Sequence, residues 1–249
     1  MNEIRREKIK EYVLEKGVVT IQDLRKVCPD VSVMTIHRDL DVLEREGTLV
    51  KVRGGAKAAV YASETGFEIR LHENTKCKQL MAEKALPLIQ NNSSIFLDAG
   101  TSNLILARHM PDMNIDIFTT APNIALELCR LNHPVITCCC GTVNRRNLAV
   151  SGMTTLDMID KINIDLAFVG VSGTSPEAGF TCGSESEMLV KQLVIRKARK
   201  SVVMCDSSKL QRVLPYTFAT FSEVDLLISD GKLPDPYLEF AKSQGVNIL

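Results

Sequence analysis

The stretch SIFLDAGTSN, residues 94–103, runs three large apolar residues straight into a carboxylate, then a glycine, then hydroxyl and amide side chains. A short apolar run closed by a turn residue reads as a buried strand, and the glycine opens the turn into a helix. A structural turn needs Gly100 but not the polar chemistry of Asp98, Thr101 and Ser102 around it. Backbone N–H groups at a helix start, here from Gly100 to Ser102, make a ready anion site. Strand, polar turn and helix in that order form the unit of an α/β sheet.

The same rhythm extends outward from Lys76 to the C-terminus. The runs SIFLD, IDIFTT, VITCCC, IDLAFVGVS, SVVMCD and VDLLIS alternate with the helical stretches KCKQLMAEKALPLI, TSNLILARHM, PNIALELCRL, TTLDMIDKI and ESEMLVKQLVIRKA. This predicts βαβ units with a mainly parallel sheet covered on both faces and every strand's carboxyl end on one edge. Ligands of open α/β sheets sit outside that edge. The sequence gathers small residues and hydroxyls there: Asp98 to Ser102, Thr119 with Thr120 and Asn123, Gly141, then Gly170 with Ser172, and finally Asp206-Ser-Ser-Lys209. Small donors beside one lysine suit a phosphate-bearing ligand.

Two roles are open at that edge. Asp98 could act as a general base and Lys209 could stabilise an enediolate. Alternatively Asp98 takes a hydroxyl and Lys209 a phosphate. The chain has no Walker-type glycine-lysine signature and no G-x-G-x-x-G. Its four histidines, His37, His72, His109 and His133, avoid the strand ends. Binding is favoured, and no catalytic residue, metal ligand or cofactor is expected.

The first 57 residues have another texture. EIRREKIKEYVLEKG places Ile4, Ile9, Tyr12 and Val13 on one helical face and stops at Gly17. A second helix starts at the N-cap Thr20, and a third opens on Ser32 with Val33, Ile36, Leu40 and Leu43 turned inward. TLVKVRGGA reads as two short strands with a Gly54-Gly55 turn. Three helices and a hairpin make a winged helix-turn-helix. Helical geometry throws Met34, Thr35, His37, Arg38 and Asp41 outward. A recognition helix presents such side chains to base edges and phosphates. Thr35, His37 and Arg38 suit bases, Ser32 suits a phosphate, and Lys51 and Arg53 suit a backbone-contacting wing. The other reading is a dimerisation bundle with a solvated charged face. Twelve basic residues against ten acidic ones up to Lys57 do not separate the two.

Composition limits the partners. Of the 249 residues 45% are hydrophobic and 24% charged, and thirty basic side chains balance thirty acidic ones, so nucleic acid must be met by a local patch. No apolar run reaches the ~20 residues of a membrane span, and a cytoplasmic protein is expected. None of the eight cysteines falls in a C-x-x-C pair; Cys138-Cys139-Cys140 reads as small apolar filling in a buried strand. Residues 1–57 are expected to form the DNA-binding domain, 58–75 a linker with a helical piece at Phe67 to Leu71, and 76–249 the α/β domain.

Both halves resemble one family. VSVMTIHRDLDVLEREGTLVKVRGGA is similar to the signature of the DeoR-type bacterial repressors, V-S-x-x-T-I-R-R-D-L-x-x-L-E-x-x-G with a wing ending R-x-G-G-A. IFLDAGTS, DLAFVGVSG, EMLVK and DSSK look like landmarks of that family's sensor domain, so the resemblance covers essentially the whole chain. It implies a sensor fold resembling ribose-5-phosphate isomerase. It also implies a homo-oligomeric repressor of a carbohydrate or nucleoside catabolic operon, released from its double-stranded operator by a phosphorylated sugar. An isomerase-like enzyme carrying a DNA-binding head is the alternative. On this reading Gly100, Thr101 and Ser102 take the phosphate with Lys209, Asp98 takes a sugar hydroxyl, and Thr120, Gly141 and Gly170 complete the pocket. The chain departs from the family at His37, Ser102, Thr120 to Asn123 and Cys140-Gly141, which bear on operator and effector. Glu187 and Lys191 match family positions, with no role readable from their spacing.

Overall fold

The computed structural model describes residues 2–45, 48–52, 54–58 and 66–249, and the chain divides into two compact units, Met1–Thr65 and Gly66–Leu249.

The first unit contains α1 (Asn2–Lys16), β1 (Val18–Thr20), α2 (Ile21–Val27), α3 (Val33–Arg45), β2 (Leu49–Val52) and β3 (Gly55–Ala58). Thr20 caps α2 through a capping box: its side chain accepts from the Asp23 N–H while the Asp23 carboxylate accepts from the Thr20 N–H. Ser32 Oγ accepts from the Thr35 N–H at 3.2 Å and so caps α3. Ile9, Val13, Leu24, Ile36, Leu40 and Leu43 form the core. Two residues expected inside are not. Ile4 is 68% exposed and Val33 38% exposed. Both lie in the first turn of their helix, where the side chain leans back past the end of the packed face. β2 and β3 form the expected hairpin, and β1 adds an unexpected third strand antiparallel to β3. Three residues between two helices carry no period of their own.

The second unit runs α4 (Phe67–His72), α5 (Thr75–Ala85), β4 (Ser94–Leu97), α6 (Thr101–His109), β5 (Asp116–Thr119), α7 (Pro122–Leu128), β6 (Val135–Cys138), β7 (Thr142–Asn144), β8 (Ala149–Ser151), α8 (Met153–Asp160) and β9 (Ile164–Gly170). It continues through β10 (Gly173–Ser175), β11 (Gly179–Cys182), α9 (Glu185–Lys197), β12 (Ala198–Met204), β13 (Tyr216–Ala219), β14 (Leu226–Ile228), α10 (Asp235–Ser243) and β15 (Asn247–Ile248). All six strands read from the sequence fall in one parallel sheet of order β15-β14-β12-β9-β4-β5-β6. Alternation along the strands feeds two cores. Ile95, Leu97, Phe168 and Met204 enter one, while Phe96, Ala167, Val169 and Val203 enter the other. Each fully buried Phe or Leu contributes about 1.5–3 kcal/mol.

Two expectations are corrected here. The helical piece at Phe67 belongs to this unit: Phe67 is buried in the first of the two cores, and its N–H donates to the Arg146 carbonyl at 2.9 Å. The cysteine strand β6 is a sheet edge, so Cys138 and Cys140 are exposed and only Cys139 is buried. Burial pushes the Cys139 thiol up to about 12, which keeps it an inert filler. The antiparallel sheet β10-β11-β13 and the hairpin β7–β8 had no expectation attached to them.

Candidate functional sites

The sheet's carboxyl edge carries the sensor unit's polar chemistry. Asp98 closes β4 and is 3% exposed. Its Oδ2 accepts from the Gly170 N–H at 3.0 Å and pairs with the Lys191 ammonium. Lys191 Nζ also donates to the Gly170 carbonyl at 2.8 Å and meets Glu187 Oε1 at 3.3 Å. The ammonium lies 5.3 Å from the centroid of the Phe218 ring. Burial alone would lower the Lys191 pKa, but Asp98 and Glu187 outweigh it and hold the ammonium charged beyond the ordinary lysine range. Glu187 and Lys191 are thus the residues whose roles sequence spacing left unassigned. One helical turn of α9 brings both to Asp98, 93 residues away in sequence from Lys191.

A narrow cleft of about 10 Å³, room for about one water-sized group, opens beside this ion pair, lined by Asp98, Thr120, Asn144, Asn147, Ser151, Ser184, Ser186 and Glu187 among others. Thr120 is 1% exposed, and its hydroxyl has no hydrogen-bond partner. The neighbouring Asn123 amide likewise leaves both its oxygen and its nitrogen unpartnered. Each buried polar group left so costs about 1–3 kcal/mol. Asn147 Nδ2 donates to Glu187 Oε2 at 3.4 Å. The asparagines and serines of this wall come from β7, β8, the turn between them and α9, for which no motif was available.

The remaining expected residues are placed as follows. Gly170 joins Asp98 through its N–H. Gly100 holds φ +119° at the start of α6, a backbone that a side chain would strain, and Thr101 is buried with Ser102 half-buried behind it. Asn103 Nδ2 ties this turn to the Asp98 and Phe168 carbonyls at 2.9 and 3.1 Å. Gly141 is a packing glycine: a Cβ there would lie 2.3 Å from Thr155 Oγ1 and 2.7 Å from the carbonyl of Ser151, a cleft residue. Lys209 is not in the described lining of the cleft. It ends a short 3-10 turn at Ser207–Lys209, and its charge acts on Lys78. Lys78 is buried, and its ammonium donates to the Arg70 and Glu73 carbonyls. Burial and the Lys209 charge lower its pKa to about 8. Lys209 therefore lies outside the cleft's described lining, and the Lys78 ammonium is taken up by backbone carbonyls.

In the first unit α3 presents Met34, Arg38 and Asp41 to solvent, with Thr35 and His37 half-buried. Ser32 Oγ and Thr35 Oγ1 hydrogen-bond to each other at 3.0 Å. The Lys51 ammonium pairs with Asp41, and the Lys51 N–H donates to Glu44 Oε1 at 2.7 Å, so the wing is laced to α3. Arg53 lies outside the described residues. Asp39, buried at 2% exposure, accepts from Arg5 Nε at 2.6 Å and Arg6 Nε at 3.1 Å, which clamps α1 to α3.

Two family models match this chain. The DeoR-like helix-turn-helix domain matches residues 5–60, and the DeoR C terminal sensor domain matches residues 73–231. The chain belongs to the DeoR family. It is a DNA-binding transcriptional regulator with a C-terminal sensor domain. It is 34% identical over 220 residues to the transcriptional regulator GlpR of Haloferax volcanii, covering 88% of this chain and 86% of that one. It is 30% identical to the regulator GolR of Listeria innocua, covering 92% and 91%. Among solved structures it is similar to ribose 5-phosphate isomerase A from Methanocaldococcus jannaschii, at 17% identity and TM-score 0.42 over 56% of each chain. No helix among the described residues is long and apolar enough to cross a membrane.

Proposed function

We propose that this DeoR-family regulator represses a carbohydrate or nucleoside catabolic operon as a homo-oligomer in the cytoplasm, and that a phosphorylated sugar releases it from its operator. The observation that carries the sensor half is the Thr120 hydroxyl, buried without a partner where it lines the cleft. A ligand hydroxyl placed there recovers the cost of that orphan group. Asp98, Asn144, Asn147, Ser151 and Glu187 offer a sugar chain further acceptors and donors. The phosphate is assigned to the N–H groups of Gly100 to Ser102 and to Lys209. Oligomerisation is inferred because one winged helix covers too few base pairs for tight specific binding.

Binding without turnover is the favoured chemistry. Asp98 and Glu187 share the Lys191 ammonium, so both act as ion-pair partners and neither is placed as a free base. The decisive experiment measures operator binding by wild type and Thr120→Val across a panel of pentose and hexose phosphates. Thr120→Val keeps operator affinity without ligand and loses release by the sugar phosphate that frees the wild type. Release at the wild-type concentration would overturn the cleft as sensor site. Turnover of any panel member by the wild type would favour the isomerase reading.

A further inference from the structure

The N-terminal end of α3, the end a recognition helix presents to a major groove, is more apolar than base reading by hydrogen bonds requires. Met34, the second residue of α3, is 64% exposed, and Val33 beside it is 38% exposed. Met34, His37, Arg38 and Asp41 follow at spacings of three and four, so they share one face. Several polar groups near that face are already engaged. The Ser32 and Thr35 hydroxyls bond to each other, and Asp41 is paired with Lys51. Met34 is left presenting a flexible, unbranched apolar side chain, ahead of Arg38 on the recognition face. The only methyl group on the base edges of a major groove is the C5 methyl of thymine. A thioether chain adapts its shape to such a contact more readily than a branched one.

We propose that Met34 is a specificity-determining residue that reads a thymine C5 methyl in each half-site, with Val33 closing the apolar cradle from the side. The inference rests on the DNA-binding assignment alone and is independent of which effector the sensor takes. It adds an apolar element to a recognition face otherwise expected to work through Arg38 and His37.

The test uses the full-length chain on a duplex that it selects from a random pool. Each thymine of the selected duplex is replaced singly by deoxyuridine, which deletes the C5 methyl and leaves pairing unchanged. At one thymine per half-site, wild-type affinity falls about fourfold, the weight of one buried methyl group at about 0.8 kcal/mol. Met34→Ala loses a similar factor on the thymine duplex and is indifferent to deoxyuridine at that position alone. Its fold is safe, since alanine favours an exposed helical site. Its salt dependence stays that of the wild type, because no phosphate contact is removed. A wild type indifferent to deoxyuridine at every thymine overturns the proposal. So does a Met34→Ala variant that keeps the wild-type deoxyuridine profile at every position.

Discussion

Asp98 shows how far a side chain's identity stands from its role. A carboxylate at a strand end beside glycine and hydroxyls suggests a hydroxyl-binding or basic group, and in the fold it is one arm of the buried pair with Lys191. Removing one partner of such a pair leaves a buried charge uncompensated, at a cost of about 3–5 kcal/mol. Lys191→Met should therefore lower the unfolding free energy by that amount in urea titrations. The double variant Asp98→Asn, Lys191→Met should recover part of the loss, because contacting residues are not additive. Lys78 gives a pH signature. Its folded pKa of about 8 lies below the ordinary lysine value of 10.5. Between those values the unfolded chain holds the proton that the folded one gives up, so stability rises as pH climbs through the window. Denaturation of the wild type against Lys78→Met from pH 7 to 11 should show that rise in the wild type and lose it in the variant.

At the scale of elements, capping and ion pairs set the recognition helix in place. Thr20→Ala removes the α2 cap and should cost about 1 kcal/mol. The wing's Lys51 is held by Asp41 on α3, so its approach to a phosphate competes with that pair. Asp41→Asn should then tighten binding to operator and random duplexes alike, whereas Lys51→Ala should weaken both and reduce the salt slope by about one. Unchanged affinity in Asp41→Asn would show that the pair does not restrain the wing. Arg38→Ala differs in kind: a base-reading contact loses roughly 1–3 kcal/mol on the operator and little on random DNA.

The whole molecule joins a small helical unit to a larger α/β unit, each with its own buried core. Residues 66–249 expressed alone should unfold in one cooperative transition and bind the releasing sugar phosphate without binding DNA, which calorimetry and operator binding can check. In the full chain the ligand acts on DNA only through a difference in its affinity for two arrangements, and ~1–3 kcal/mol of coupling gives a several-fold to hundred-fold response.

What could be read along the chain was whatever depends on neighbours in sequence. Apolar runs alternating with helical stretches placed six of the seven strands of the parallel sheet, the Thr20 and Ser32 caps opened their helices, and DAGTS marked the first polar turn. Edges, short strands and partners were not legible there. VITCCC reads as buried until the sheet order leaves β6 at the edge, and Val33 reads as core until the packed face of α3 stops short of it. The cleft is the clearest case. Asp98, Thr120, Asn147 and Glu187 come from four separate segments, and no period relates them. Only parallel pairing of β4, β5 and β9, with α9 laid beside β9, brings those side chains to one edge. There the Thr120 hydroxyl is buried without a partner, and an unpaired polar group is costly in a protein interior.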